Sequence, residues 1–195
     1  MHKVICVAGM PGSGKSTVSD YLVGKGFKFV RFGQVVLDEV KKRNLIPSEK
    51  VEREIREGLR EKHGKGVLAK RIIPVIDNML KENNVVADGL YSFTEYKIIK
   101  KYFKDTVIVV AVWAPPQVRY TRISERKAIN DPQSRFRSFT KEEAAKRDIA
   151  EIENLEKGGP IAMADYTLIN SKGKKYLFTQ IDTLLTAIAQ NKVLL

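Results

Sequence analysis

The 195-residue chain carries 35 lysines and arginines against 23 aspartates and glutamates, a formal net charge of +12, with 43% apolar and 30% charged residues. That length suits one α/β domain with a substantial core, and the positive surplus points to nucleic acid, an acidic surface or a site built around several phosphates. The lone Cys6 excludes an intrachain disulfide or a cysteine-based zinc site, and no run approaches the ~20 apolar residues of a membrane span.

The opening residues are too few and too mixed for a signal peptide, so the cytoplasm is the expected compartment. A first strand is read at 4–8, Val4-Ile5-Cys6-Val7-Ala8, with Cys6 as a buried, inert thiol. Directly after it, Gly9-Met10-Pro11-Gly12-Ser13-Gly14-Lys15-Ser16 is a complete G-x-x-x-x-G-K-S/T phosphate-binding loop, followed by a helix over 16–24. Gly12 and Gly14 let successive N–H groups turn inward toward phosphate oxygens, and the helix adds its positive end. Lys15, on a solvent-facing loop, reaches the β- and γ-phosphates, and the Ser16 hydroxyl ligates Mg²⁺. The motif predicts a bound nucleoside triphosphate, with Gly9, Pro11, Gly12, Ser13, Gly14, Lys15, Ser16 and Thr17 around its phosphates.

A second strand follows at 27–32, then helices at 34–43, 49–62 and 66–82, the last interrupted by Pro74. These fifty or so residues, 33–83, exceed what one crossover needs. Within them Arg56 and Arg60 share a helix face, suited to clamping an acceptor phosphate or to pairing with Glu52, Glu57 or Glu61. The third strand, 85–88, ends in Asp88, placed to hold Mg²⁺ beside Ser16, although Asp88-Gly89 also suits a simple turn. A helix at 93–103 and a fourth strand at 106–113 come next, with Trp113 expected in core or hinge packing in preference to stacking on an acceptor base.

Past Pro115 a helix is read at 116–129, on which Arg122 and Arg126 lie one turn apart. Arginines there can neutralise a transferring phosphoryl group, with Arg147 pointing back to the same place; the alternative is a solvated basic helix. Between Arg119 and Lys141 seven bases face two acids, so the positive charge concentrates here. Thr140 and Glu143 form a capping box for a helix at 141–156, and a last strand and helix occupy 165–170 and 176–190. The alternation of strands and helices predicts a parallel sheet covered on both faces. Ligands of such sheets bind beyond the carboxyl ends of the strands, where both long insertions leave. His2 and His63 are too isolated for catalysis or metal binding and are expected on the surface.

The phosphate loop, Asp88-Gly89 and the run from Pro115 through Arg122 to Arg126 resemble the adenylate-kinase-like nucleoside monophosphate kinases. Ala164 to Asn170 resembles instead the closing strand of dephospho-coenzyme A kinases. From residue 3 to about 185 the chain is also similar to a subgroup of adenylate-kinase-related P-loop proteins. The resemblance implies a three-layer P-loop fold, one domain over 1–195, with strand order 2-3-1-4-5, an acceptor-binding helical insertion at about 33–83 and a lid at about 123–147. It further implies that Arg122 and Arg126 serve the donor and the transferring phosphate, and that backbone near Asn170, Ser171 and Gly173 cradles the donor adenine.

Departures from the pattern bear on the acceptor. Where adenylate kinases carry Gly-Asp-x-x-Arg after the second strand, this chain has Gly33-Gln34-Val35-Val36-Leu37, and Leu90-Tyr91-Ser92 replaces the arginine after Asp-Gly. Gln34, Arg56, Arg60, Arg71, Gly89 and Tyr91 are left to meet the acceptor. The Asp-x-Asp that dephospho-coenzyme A kinases use toward a ribose hydroxyl is missing too. A phosphate acceptor needs positioning and no base, so phosphate-to-phosphate transfer is preferred, with Asp38 or Asp88 open to serve a hydroxyl. The expected activity is an ATP- and Mg²⁺-dependent phosphotransfer to a nucleotide-like small molecule, with no membrane involved. The alternatives are a kinase of a sugar hydroxyl, such as a dephospho-coenzyme A kinase, or a basic P-loop NTPase that binds nucleic acid. Arg135-Phe136-Arg137-Ser138-Phe139 hints weakly at the last. A guanine-reading Asn-Lys-x-Asp is absent, and Asp88-Gly89 stands where a motor ATPase would show Asp-Glu.

Overall fold

The computed structural model describes residues 2–125 and 139–190. Five parallel strands form one sheet in the order β2 (Lys28–Arg31), β3 (Val85–Asp88), β1 (Val4–Ala8), β4 (Val107–Trp113), β5 (Tyr166–Ile169). Val4 pairs with Val85 on one side and Val107 on the other, and Val7 lies beside Asp88. Every residue of β1 and β3 is buried, as a central parallel strand covered on both faces requires.

Alternation divides the apolar side chains between two layers. Val4, Cys6 and Ala8 face a cluster with Val36, Leu59, Leu68, Ile72 and Ile99, whereas Ile5 and Val7 face one with Val18, Leu22, Leu177 and Ile181. The first cluster draws on α2 (Gln34–Lys42), α3 (Glu49–His63), α4 (Val67–Leu80) and α5 (Phe93–Phe103); the second on α1 (Lys15–Gly24) and α9 (Lys174–Ala189). This is the expected three-layer fold with the expected strand order. Cys6 is fully buried, and that burial pushes its thiol up to about 12, so it is a packing residue.

Pro74 sits inside α4, which continues past it. Thr140 and Glu143 cap α7 (Lys141–Leu155) as a reciprocal pair, and α6 (Pro116–Ser124) starts on its proline. One helix lies outside the sequence expectation: α8 (Gly158–Ala162), whose Gly158-Gly159-Pro160 reads as a breaker. Gly159 is there for space, since a Cβ would stand 2.6 Å from the Phe93 side chain on α5. Trp113 departs from its expected packing. As the last residue of β4, opposite Ile169, it projects past the covered part of the sheet and is 45% exposed. Among the described residues no helix is long and apolar enough to cross a membrane.

Candidate active site

The phosphate loop leaves β1 and feeds α1 at the carboxyl edge of the sheet. Gly12 (φ +77°) and Gly14 (φ +104°) hold left-handed conformations that a side chain would strain. Space makes the same demand: a Cβ on Gly12 would lie 2.7 Å from the Arg119 carbonyl, and one on Gly14 2.1 Å from the Asn170 amide nitrogen. The loop is therefore gripped from outside. Asn170 Nδ2 donates to the Ser13 carbonyl at 2.7 Å, and Arg119 Nη1 donates to the Pro11 carbonyl at 3.1 Å. Arg119 is itself buried, bonded to the Ala114 carbonyl and paired with Asp148 of α7 at 2.6 Å.

Above this loop opens a cleft of about 480 Å³. Pro11, Gly12, Gly14, Lys15, Ser16 and Thr17 line it, as do Arg56, Asp88, Gly89, Tyr91, Arg122, Arg147, Asn170 and Gly173. Gly9 and Ser13 sit behind the lining as buried supports. Ser171 is exposed and stands outside it, as does Gln34, whose amide donates to Asp38 at 2.7 Å. Two arginines expected at the acceptor are engaged elsewhere. Arg60 pairs with the buried Glu95 of α5 at 3.3 Å rather than with its own helix, and Arg71 faces Glu39 at 3.5 Å. Arg126, most of the lid read at about 123–147 and the Arg135 to Ser138 stretch lie outside the described residues.

Glu95 sets the loop after β3. Its carboxylate accepts from the Tyr91 and Ser92 N–H groups, while Gly89 and Leu90 donate to the Val7 carbonyl at the end of β1. Asp88 is thereby fixed next to the phosphate loop, and Arg31 sits beside it in register. Arg122 Nη2 donates to the Asn170 carbonyl at 2.8 Å, while Nη1 has no hydrogen-bond partner among the described residues. Arg147 of α7 bonds Glu151 at 2.8 Å, with its guanidinium 5.3 Å from the Phe139 ring centroid. Four charged lining residues lay outside the sequence-based site: Arg31, Glu52, Lys157 and Lys174. Among the described residues the lining carries seven basic side chains and two acidic ones, Glu52 and Asp88. Such a cleft favours a polyanion.

Lys15 is half-buried on the cleft floor rather than solvent-facing, and its ammonium donates to the Gly9 and Met10 carbonyls at 3.0 and 3.2 Å. Burial first, and repulsion from Lys157 second, bring its pKa down to about 7. A bound polyphosphate favours the charged form and raises that value again. Above pH 7 nucleotide binding is thus expected to take up roughly one proton per site, and affinity to fall as pH rises. Calorimetry in two buffers of different ionisation enthalpy measures the uptake; equal apparent heats would place Lys15 fully charged beforehand.

A phosphate loop gripped at the carboxyl edge of a parallel 2-3-1-4-5 sheet, under a strongly basic cleft, defines a P-loop NTPase with a kinase-like fold. The chain belongs to the family described as AAA domain, whose model matches residues 5–156, and to the UPF0200 proteins. It is 33% identical over 187 residues to the UPF0200 protein of Thermococcus gammatolerans, spanning 95% of each chain. Among solved structures, TT1252 from Thermus thermophilus superposes with a TM-score of 0.60 at 18% identity, over 96% of this chain and 98% of that one. Shikimate kinase from Acinetobacter baumannii, in complex with shikimate, does so with a TM-score of 0.57 at 18% identity, over 100% and 97%. At that identity the likeness is one of fold.

Proposed function

We propose that this protein is an ATP- and Mg²⁺-dependent phosphotransferase acting on a small nucleotide-like acceptor, in the manner of a nucleoside monophosphate kinase. One observation carries the reading: the phosphate loop, Asp88, Arg122 and Arg147 open into a single cleft whose far side is built from α3 and the loop after β3. In this reading Gly12, Gly14 and the start of α1 bind the donor phosphates through backbone N–H groups. Lys15 screens the β- and γ-phosphates, and Arg122 and Arg147 meet the charge that develops on the transferring group. Arg56, Gly89 and Tyr91 face the acceptor, while Asn170 and Gly173 border the donor base.

The residues present fit a magnesium ion. Among the described residues no cluster of three or more His, Cys, Asp or Glu side chains could hold a metal. The Ser16 hydroxyl and the Asp88 carboxylate line the cleft together at the phosphate loop. That sparse oxygen set is what Mg²⁺ takes when phosphates and waters complete its shell. When bound, the ion would neutralise phosphate charge and orient the β- and γ-groups.

A second reading, transfer to a hydroxyl, draws support from Glu52, a buried carboxylate in the cleft lining that can serve as a base. Both readings are tested by following ADP release with Mg²⁺-ATP and a panel of nucleoside monophosphates, nucleosides, dephospho-coenzyme A and shikimate. Turnover only with phosphate-bearing acceptors favours the first, turnover with neutral hydroxyl compounds favours the second, and none with any of them overturns the substrate class. EDTA is expected to stop the reaction. Asp88→Asn is expected to raise the Mg²⁺ concentration for half-maximal rate about tenfold, as loss of one metal contact implies. Wild-type metal dependence in that variant would return Asp88 to a turn-forming role.

A further inference from the structure

Lys157, the residue preceding α8, has 1% of its surface exposed yet lines the cleft. Its ammonium donates to the Glu151 carboxylate, lies 4.7 Å from the centroid of the Tyr91 ring, and is further attracted by Asp148. An ammonium has three N–H donors, and Glu151 is the one hydrogen-bond acceptor it meets among the described residues. Glu151 does not need Lys157, because Arg147 already bonds it at 2.8 Å. Arg147 and Lys157 thus both bond the Glu151 carboxylate, with Asp148 adding attraction for Lys157, while Lys157 acts repulsively on the Lys15 ammonium. A buried ion pair is seldom required for stability and is often replaced by apolar packing without loss. A surplus buried cation facing a second one is balanced when an anion lies between them.

We propose that Lys157, held against Tyr91 by Glu151, is the anion-binding residue of the acceptor subsite, so that the acceptor carries a phosphate or carboxylate group that settles between Lys157 and the P-loop. This rests on the phosphotransfer reading and names its substrate class: an anionic small molecule. Glu151 acts as a positioning residue. Burial alone would raise its pKa, but Lys157 and Arg147 hold it at about 2, so it stays charged and opposes the lowering that burial imposes on the Lys157 ammonium.

The test fills the P-loop of the full chain with Mg²⁺-AMPPNP and titrates inorganic phosphate, and separately acetate, by calorimetry. Wild-type protein is expected to bind phosphate. Lys157→Met is expected to bind it at least tenfold more weakly, a larger loss than any it shows for AMPPNP. Phosphate binding to Lys157→Met with wild-type affinity, or no phosphate binding to wild type, would overturn the assignment. Should Lys157→Met fail to fold, the Glu151→Gln, Lys157→Met double variant removes both charges, and the same two results decide. Phosphate bound more tightly than acetate supports a phosphate-bearing acceptor, and the reverse order a carboxylate. If wild type binds no Mg²⁺-AMPPNP, it is the phosphotransfer reading that falls.

Discussion

Lys15→Ala is expected to abolish phosphotransfer while leaving the melting temperature unchanged or raised. The two halves of that result have separate origins. Removing the cation at the β- and γ-phosphates deletes an interaction that strengthens as charge shifts toward the leaving group. A loss of about 10³-fold or more, on the order of 4 kcal/mol, is expected. Stability moves the other way because the folded state holds this lysine at about 7, well below its value in an unfolded chain. A base whose pKa is depressed on folding costs the folded state most below the depressed value. That cost declines as pH rises toward ~10.4, where both states are neutral. The alanine variant should therefore gain most at pH 6 and least at pH 10, offset in part by the lost bonds to Gly9 and Met10. Thermal unfolding at the two pH values, beside ADP release, measures both. Near-normal turnover would remove the P-loop from the mechanism, and a lower melting temperature at pH 6 would show that Lys15 is held charged by its surroundings.

Arg122→Ala is expected to reduce kcat by up to ~10³-fold with a smaller change in KM, in line with arginines that meet a transferring phosphoryl group. Its guanidinium is braced at one end by the Asn170 carbonyl, and Nη1 has no hydrogen-bond partner among the described residues, so it is a positioned cation with a donor to offer. The competing idea, that the basic segment after β4 binds nucleic acid, predicts a different signature on the same variant. There ATP turnover would stay constant, while the dependence of nucleic-acid affinity on salt would flatten by about one charge. Filter binding across a salt series and steady-state kinetics separate the two. A flattened slope with unchanged kcat would remove Arg122 from the phosphotransfer site.

Local signals made much of this architecture legible. The eight residues from Gly9 to Ser16 announce their own loop, the apolar runs announce buried parallel strands, and Thr140 with Glu143 announces a helix start. What escaped is long-range. Arg60 and Arg71 carry the right charge in the right insertion, but their partners are Glu95 and Glu39, 35 and 32 residues away, beyond any helical spacing pattern. Arg31 read as an ordinary strand residue, and only the register with Asp88 places it at the cleft. Lys157 was hidden for a different reason. It precedes Gly158-Gly159-Pro160, a sequence with poor helix propensity that folds into α8 because Gly159 lets it press against Phe93. The first turn of α5 offered a usable signal, since Ser92 and Glu95 have capping-box spacing, and Glu95 proved to organise the loop bearing Tyr91.

The outside grip on the phosphate loop also has a kinetic meaning. Arg119 reaches it from α6 and Asn170 from the end of β5, so its curvature is set by folding rather than by an incoming anion. Little chain entropy then remains to be lost when phosphate arrives, and the mould exists before the casting. If nucleotide binds as proposed, its capture is expected to be set by diffusion in the field of the basic cleft rather than by ordering of the phosphate loop. Arg119 is also tied to Asp148 on α7, the helix that carries Arg147 and Glu151, so the phosphate loop and Arg147 are linked through one helix. A tilt of α7 would reach the phosphate loop as a change in shape rather than as a change in charge.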